Sequence, residues 1–191
     1  MNIIFDLDDT VYRSNPLRIN RERAILKVVG DKIKEYRELK KINTTTKSLE
    51  KLGIPKEELY KILESVPIAL KKNTKLTRLF KKLKDNHKLI IISNSPKSCV
   101  LQVLEKLELI KLVDEIYGGD SFKEPKPSDE AFSLVKPGDI CIGNNFRKDL
   151  EIPKKKGAIT ILISKQENKE ADFSIKSILE LESILLRLGK I

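Results

Sequence analysis

Short apolar runs alternate with amphipathic segments of helical periodicity along most of this chain. Runs that are apolar at nearly every position are typical of strands buried on both faces of a parallel sheet. The alternation therefore predicts an α/β fold with a doubly wound, mainly parallel sheet. We expect strands at residues 2–7, 88–93, 115–117, 139–142 and 158–163, with an edge strand at 172–175. We expect helices between the later strands at residues 97–107, 128–135, 148–156 and 177–188.

A long segment after the first strand interrupts this alternation. No strand-like run occurs between Ser14 and Leu76, and helical segments there are separated at "NTTTK" and "GIPKEE". The segment is too long for an ordinary connection, which predicts an inserted subdomain. We assign residues 15–76 to a small all-helical cap and residues 1–14 and 77–191 to the α/β core. Ligands bind at the carboxyl ends of strands in such sheets, so we expect a cap inserted there to cover the site.

Composition excludes few functions, but the distribution of charge argues against nucleic-acid binding. The 191 residues include 38 basic and 28 acidic ones, a formal net charge of +10, but the lysines are interspersed with acids along the helices. Such a pattern is typical of a solvated surface, so nucleic acid is not an expected partner. Cys99 and Cys141 lack metal-ligand spacing and indicate a reducing compartment. Neither a signal peptide nor a membrane span is expected, and we predict a cytoplasmic protein.

Polar side chains follow the predicted strands, where a parallel sheet brings them to one edge. The crowding of three carboxylates behind the first strand is costly unless a cation, hydrogen-bond donors or a catalytic task compensates it. A hydroxyl, an amide and a helix N-terminus follow the second strand and suit a phosphate. In chain order, these side chains belong to Asp6, Asp8, Asp9, Ser93, Asn94, Lys126, Asn144 and Asp149.

These strand ends carry four motifs that resemble those of the haloacid dehalogenase superfamily, and the resemblance covers essentially the whole chain. The first motif, DxDxT, matches Asp6, Asp8 and Thr10; the second matches Ser93; the third, KPxxxxF, begins at Lys126; and the fourth, GDxxxxD, corresponds to "GNNFRKD". The sequence departs from the fourth motif at Asn144, where Asp is usual. The helical insertion between the first two motifs is similar to that of the pyrimidine 5′-nucleotidase and phosphoglycolate phosphatase branches.

The resemblance implies a phosphomonoester hydrolase that acts on a small phosphorylated metabolite. Asp6 would be the nucleophile that forms an aspartyl-phosphate, and Asp8 would be the general acid and base. Phosphate contacts are implied for Ser93, Asn94 and Lys126, and Thr10 is implied as a supporting residue. A Mg²⁺ cofactor would be held by Asp6, the Asp8 backbone carbonyl, Asn144 and Asp149.

Other functions remain open from the sequence. A phosphomutase of the same superfamily could share every motif. A phospho-receiver domain also places an acidic cluster, a hydroxyl and a lysine at strand ends, but its phosphate-accepting Asp would need to follow an internal strand, and here the second strand ends in Ser93. A catalytically silent binding protein is a further alternative, against which the intact Asp6, Asp8, Ser93 and Lys126 argue. Superfamily dehalogenases lack the second aspartate, so Asp8 favours phosphoryl transfer. The substrate and the oligomeric state are left undetermined.

Overall fold

Six strands form one sheet in the computed structural model, which describes residues 1–191. They are β1 (Asn2–Phe5), β2 (Lys88–Ile92), β3 (Glu115–Tyr117), β4 (Ile140–Gly143), β5 (Ile159–Ile163) and β6 (Phe173–Ile175). Their order is β3-β2-β1-β4-β5-β6, and every neighbouring pair is parallel. The predicted doubly wound, Rossmann-like sheet is therefore confirmed. Because β1 lies between β2 and β4, the chain switches sides of the sheet next to β1, where α/β folds place their ligands.

Eight α-helices accompany the sheet. They are α1 (Asn15–Val29), α2 (Ile33–Ile42), α3 (Thr45–Lys51), α4 (Lys56–Ser65), α5 (Thr74–Lys84), α6 (Lys97–Lys106), α7 (Glu151–Lys155) and α8 (Leu181–Arg187). Short 3-10 turns occupy Gly30–Lys32, Ile110–Leu112 and Ile178–Glu180, and a π-helical turn occupies Phe146–Leu150. None of these helices has the length and apolar character needed to cross a lipid bilayer.

The chain divides into two compact units. One comprises Met1–Arg13 and Leu70–Ile191 and contains the sheet; the other comprises Ser14–Ala69 and contains only helices. The second boundary lies at residue 69, whereas the sequence suggested residue 76. Asn73 caps α5 by accepting from Leu76 N–H at 3.3 Å, and Leu76 and the other apolar residues on one face of this helix are buried. Residues 73–76 therefore belong to the start of α5, which is part of the α/β unit.

The α/β unit is built around the apolar strands that the sequence predicted. Ile3, Ile4 and Phe5 of β1 are almost completely buried, as expected for a central strand covered on both faces. Phe80 of α5 stacks on Phe5 with a ring separation of 5.1 Å, which fixes α5 against the strand that leads to the site.

The helical unit has a core of its own. Tyr36 of α2 is fully buried, and the side chains around it come from all four helices of this unit. Thr44 accepts from the Lys47 N–H at 3.2 Å and so begins α3 at the predicted break "NTTTK". This separate core explains why the segment forms a compact unit rather than a long loop.

The prediction of a helix at residues 128–135 is wrong, because the segment forms successive turns. Ser133 N–H bonds to the Glu130 carbonyl and Val135 N–H to the Phe132 carbonyl, each three residues back. The Glu130 carboxylate bonds to the N–H groups that precede the segment, those of Lys123 and Glu124. Phe132 and Val135 are nevertheless buried, so the apolar spacing that suggested a helix is satisfied by turns.

The beginnings of β1 and β4 are joined through one buried carboxylate. Asp139 is 4% exposed and accepts from Asn2 N–H at 2.8 Å and from the Asn2 side-chain amide at 3.0 Å. It also accepts from Lys136 N–H at 3.0 Å. These bonds lie at the amino end of the strands and set the relative position of β1 and β4, the two strands that flank the sheet's switch point.

We predict that Asp139→Ala lowers the free energy of unfolding by about 2 kcal/mol, because it removes three partly buried hydrogen bonds, two from Asn2 and one from Lys136. Denaturant titration followed by circular dichroism measures the loss. The exposed Asp85 provides a matched control, and Asp85→Ala should change stability by less than about 0.5 kcal/mol. Equal stability of the two variants would contradict the role assigned to Asp139.

Candidate active site

Three adjacent strands deliver polar side chains to one edge of the sheet. Asp6 directly follows β1, Ser93 directly follows β2, and Asn144 directly follows β4. Asp6 N–H still donates to the Ile142 carbonyl of β4 at 2.9 Å, so its backbone remains fixed to the sheet. The structure therefore brings the first, second and fourth motifs together at the carboxyl ends of the central strands.

Lys126 connects two of the predicted carboxylates. Its ammonium Nζ lies 2.8 Å from Asp6 Oδ1 and 2.7 Å from Asp149 Oδ1. Lys126 is 3% exposed and Asp149 is 4% exposed, so one cation is shared by two largely dehydrated anions. With both carboxylates ionised, the three groups together carry one net negative charge.

Burial and mutual attraction change the ionisation of this cluster. Burial raises the pKa of Asp6 above its ordinary value, and the nearby Asp149 carboxylate adds to the rise, whereas Lys126 opposes it. Burial alone would lower the pKa of Lys126, but Asp6 and Asp149 outweigh it, and the pKa of this lysine is raised. Lys126 is therefore a permanent cation, and it compensates the two carboxylates only in part.

A tight turn after Asp6 supplies its second partner. Thr10 Oγ1 donates to Asp6 Oδ2 at 2.8 Å, and Thr10 is buried. The turn closes with the Val11 N–H bonded to the Leu7 carbonyl at 3.0 Å. Asp9 has a φ of 60°, in the left-handed region that Asp tolerates better than most residues. This geometry explains why a threonine four residues after Asp6 contacts its carboxylate.

Asp8 lies in a different environment from that of Asp6. Its Oδ1 accepts from the Tyr12 hydroxyl, and its Oδ2 accepts from the Ser95 hydroxyl at 3.0 Å. These two donors are neutral hydroxyls. The first motif identified Asp8 as a candidate site residue, but no motif indicated that Tyr12 or Ser95 would contact it.

The loop after β2 is fixed from several sides. Ser93 is buried, and its Oγ accepts from Ser95 N–H at 3.1 Å. Asn94 donates its side-chain amide to the Lys126 carbonyl at 2.7 Å, while its buried Oδ1 has no hydrogen-bond partner. A Cβ on Gly119 would lie 2.5 Å from the Asn94 carbonyl oxygen, so only glycine allows this approach. Asn94 thus joins the second motif to the loop that carries Lys126.

The fourth motif is spaced by a π-helical turn. Glu151 N–H bonds to the Phe146 carbonyl five residues back, and Asn145 caps the turn by accepting from Lys148 N–H at 3.1 Å. Asn145 N–H also donates to Asp149 Oδ2 at 3.0 Å. The sequence predicted an ordinary helix at 148–156, and α7 begins only at Glu151. Asp149 is buried, whereas Asn144 is exposed at the end of β4.

The donor set fits a hard cation that keeps much of its water. No three acidic, histidine or cysteine side chains converge anywhere in the structure as a metal-binding group. The carboxylates of Asp6 and Asp149 instead meet at Lys126, while Asn144 directly follows β4 and the Asp8 backbone lies two residues after Asp6. Mg²⁺ typically binds one or two protein carboxylates and retains several waters, and the uncompensated negative charge here favours such an ion.

Comparisons with solved structures show the same fold. The proposed HAD-hydrolase YfnB from Bacillus subtilis, bound to magnesium, is 17% identical with a TM-score of 0.70, over 97% of this chain and 98% of that chain. A HAD phosphatase from Thermococcus onnurineus is 20% identical with a TM-score of 0.70, over 97% and 98%. A proposed β-phosphoglucomutase from Thermotoga maritima is 20% identical with a TM-score of 0.68, over 98% and 100%.

Sequence comparison identifies the family directly. No curated protein matches this sequence. The family model described as haloacid dehalogenase-like hydrolase, however, matches residues 3–135, which is more than half of the chain and includes the first three motifs. The chain therefore belongs to the haloacid dehalogenase-like hydrolase family, as its motifs predicted.

Proposed function

We propose that this protein is a phosphomonoester hydrolase for a small phosphorylated metabolite, with Asp6 as nucleophile and Asp8 as general acid and base. The observation that carries the proposal is the contrast between these two carboxylates. Asp6 bonds to the Lys126 ammonium, whereas Asp8 bonds to hydroxyls. Pairs of carboxylates in unlike environments are typical of sites that divide nucleophilic and acid–base roles.

In the first step, an Asp6 carboxylate oxygen attacks phosphorus and the bond from phosphorus to the leaving oxygen breaks. Asp8 gives its proton to that oxygen, and the alcohol departs. In the second step, Asp8 takes a proton from water, whose oxygen attacks the phosphorus of the aspartyl-phosphate. The bond to Asp6 breaks, which releases inorganic phosphate and restores the Asp6 carboxylate and the protonated Asp8.

The phosphate of the substrate must be held in line for attack by Asp6, although both groups are anionic. Side chains at the strand ends provide the donors that hold it. Lys126 offsets charge on the phosphoryl oxygens, and the Ser93 hydroxyl and Asn94 backbone N–H are the proposed further contacts. The fixed loop after β2 supports this role, because Ser93 and Asn94 are bonded to Ser95 and to the Lys126 backbone. Catalysis of phosphoryl transfer depends mainly on such positioning and charge compensation.

We infer that Mg²⁺ is the cofactor, held by Asp6, Asp149, Asn144 and the Asp8 backbone carbonyl. When bound, it supplies positive charge that offsets repulsion between the phosphate and the nucleophile. The donor set supports this inference, as does likeness to a magnesium-bound structure of the same fold.

Two other reactions of related proteins are alternatives to hydrolysis. Displacement of halide from carbon needs no proton donor for the leaving group, so Asp8 and its two hydroxyl partners favour phosphoryl transfer. A phosphomutase would use the same residues, and the likeness to the Thermotoga maritima protein supports it as the second candidate function.

A screen of nucleotides, sugar phosphates and phosphoglycolate, each with and without Mg²⁺, tests the proposal. Release of inorganic phosphate supports a hydrolase, whereas an isomeric phosphate ester without phosphate release indicates a mutase. Absence of both from every ester would contradict the proposed function.

Asp6→Asn should lower kcat with p-nitrophenyl phosphate by at least about a thousandfold, because the amide cannot form the aspartyl-phosphate. Its melting temperature should stay close to that of the unaltered protein. Asp9→Asn removes a neighbouring carboxylate while keeping a residue that tolerates positive φ, and it should retain most of the activity. Comparable activity in Asp6→Asn and Asp9→Asn would remove Asp6 from the nucleophilic role.

Lys126→Met should lower the free energy of unfolding by about 3 kcal/mol, because it leaves two largely buried carboxylates without their shared cation. Denaturant titration measures this loss. The double variant Lys126→Met with Asp6→Asn removes one of those anions and should be more stable than Lys126→Met alone. Equal or lower stability of the double variant would show that the charge pairing does not control the loss.

Asn144→Asp should lower the Mg²⁺ concentration at half-maximal activity, because it adds an anion to the proposed metal site. Magnesium titration of the melting temperature provides a second readout that does not depend on turnover. Asn145→Asp adds the same charge one residue later, where the side chain caps the π-helical turn, and should change both values less. A larger effect at Asn145 would assign the metal-facing position to that residue.

A further inference from the structure

We propose that Tyr12 and Ser95 are positioning residues that jointly orient the carboxylate of Asp8 for proton transfer. The inference rests on the proposed function, since it assumes that Asp8 exchanges a proton with the leaving oxygen. Neither residue belongs to the four motifs that the sequence revealed.

The two hydroxyls reach Asp8 from separate parts of the chain. Tyr12 lies four residues later in the same loop, and an isolated β-bridge pairs its backbone with that of Asp8. Ser95 lies 87 residues away in the loop after β2. Each hydroxyl binds a different carboxylate oxygen, so together they restrict rotation of the Asp8 side chain in a way that one bond alone could not.

Ser95 is itself held on both sides. Its N–H donates to Ser93 Oγ at 3.1 Å, and its carbonyl accepts from Gly119 N–H at 2.8 Å. The hydroxyl that reaches Asp8 therefore extends from a fixed backbone, and the same contacts link the Asp8 carboxylate to the proposed phosphate-binding loop. The position of the proton donor is thereby coupled to the position of the phosphate.

The chemistry of the donors suits this role. Hydroxyls orient a carboxylate without the full positive charge that Lys126 places beside Asp6. Proton transfer requires a donor within hydrogen-bond reach of the leaving oxygen, so a carboxylate that rotates freely is less effective. Loss of either hydroxyl should therefore affect the step in which the leaving oxygen needs its proton.

The test compares leaving groups of similar size that differ in their need for a proton. p-Nitrophenolate leaves readily as an anion, whereas phenolate depends more on a general acid. In Tyr12→Phe and in Ser95→Ala, the kcat/KM for phenyl phosphate should fall about tenfold more than the kcat/KM for p-nitrophenyl phosphate. Because kcat/KM reports steps up to the first irreversible one, slow breakdown of the aspartyl-phosphate does not hide the effect.

Tyr117→Phe is the matched control. Tyr117 also donates its hydroxyl to a carboxylate, that of Glu115 at 3.0 Å, and it lies on β3 of the same unit. This variant should leave the ratio of the two kcat/KM values unchanged. Ser95→Thr retains the hydroxyl and should restore the ratio that Ser95→Ala alters, which a general packing defect would not predict.

The outcomes separate the two proposals. If the unaltered protein hydrolyses no ester in the screen, the proposed function fails and this inference fails with it. If the unaltered protein is active and depends on Asp6, but Tyr12→Phe and Ser95→Ala keep its ratio of kcat/KM values, the positioning role alone is overturned. Thermal melts show whether either variant is folded, and one folded variant suffices for the comparison.

Discussion

The arrangement of this site depends on one ammonium group that two largely buried carboxylates share. Lys126 contacts Asp6, which follows β1, and Asp149, which follows β4, so the pairing requires these strands to be neighbours. The sheet order and the Asp139 link at the opposite strand ends meet that requirement. Burying three charges in this way is a weak source of stability, because dehydration offsets much of the attraction. Under the proposed function, its value lies in fixing the nucleophile Asp6 beside a permanent cation.

The second carboxylate of the first motif is fixed by other means. Asp6 and Asp8 are two residues apart, yet the turn at Asp9 and the loop after β2 give them different donors. Asp6 shares the Lys126 ammonium with Asp149, whereas Asp8 accepts from the Tyr12 and Ser95 hydroxyls. Under the proposed function, these different donors allow two chemically identical side chains to act in different steps.

The sequence predicted the sheet and the strand-end residues because both follow from short apolar runs with polar residues at their carboxyl ends. It could not predict the contacts of Tyr12, which require the positive φ of Asp9, or those of Ser95, which require a long-range approach between loops. The helix expected at 128–135 was wrong for a related reason. Apolar spacing records which side chains are buried, and turns can bury them as well as a helix can. The π-helical turn at Phe146–Leu150 likewise has no periodic signature.

That turn and the neutral Asn144 together determine the charge of the site. Asp149 reaches Lys126 across the π-helical turn, and Asn145 N–H holds its other oxygen, so this carboxylate is fixed by two donors. With an amide at position 144, the fourth motif contributes one anion instead of two. A site with fewer anions repels a phosphate dianion less but attracts a divalent cation less strongly. Under the proposed function, the amide at position 144 therefore weakens metal binding to the free enzyme and also weakens the repulsion that the phosphate meets when it binds.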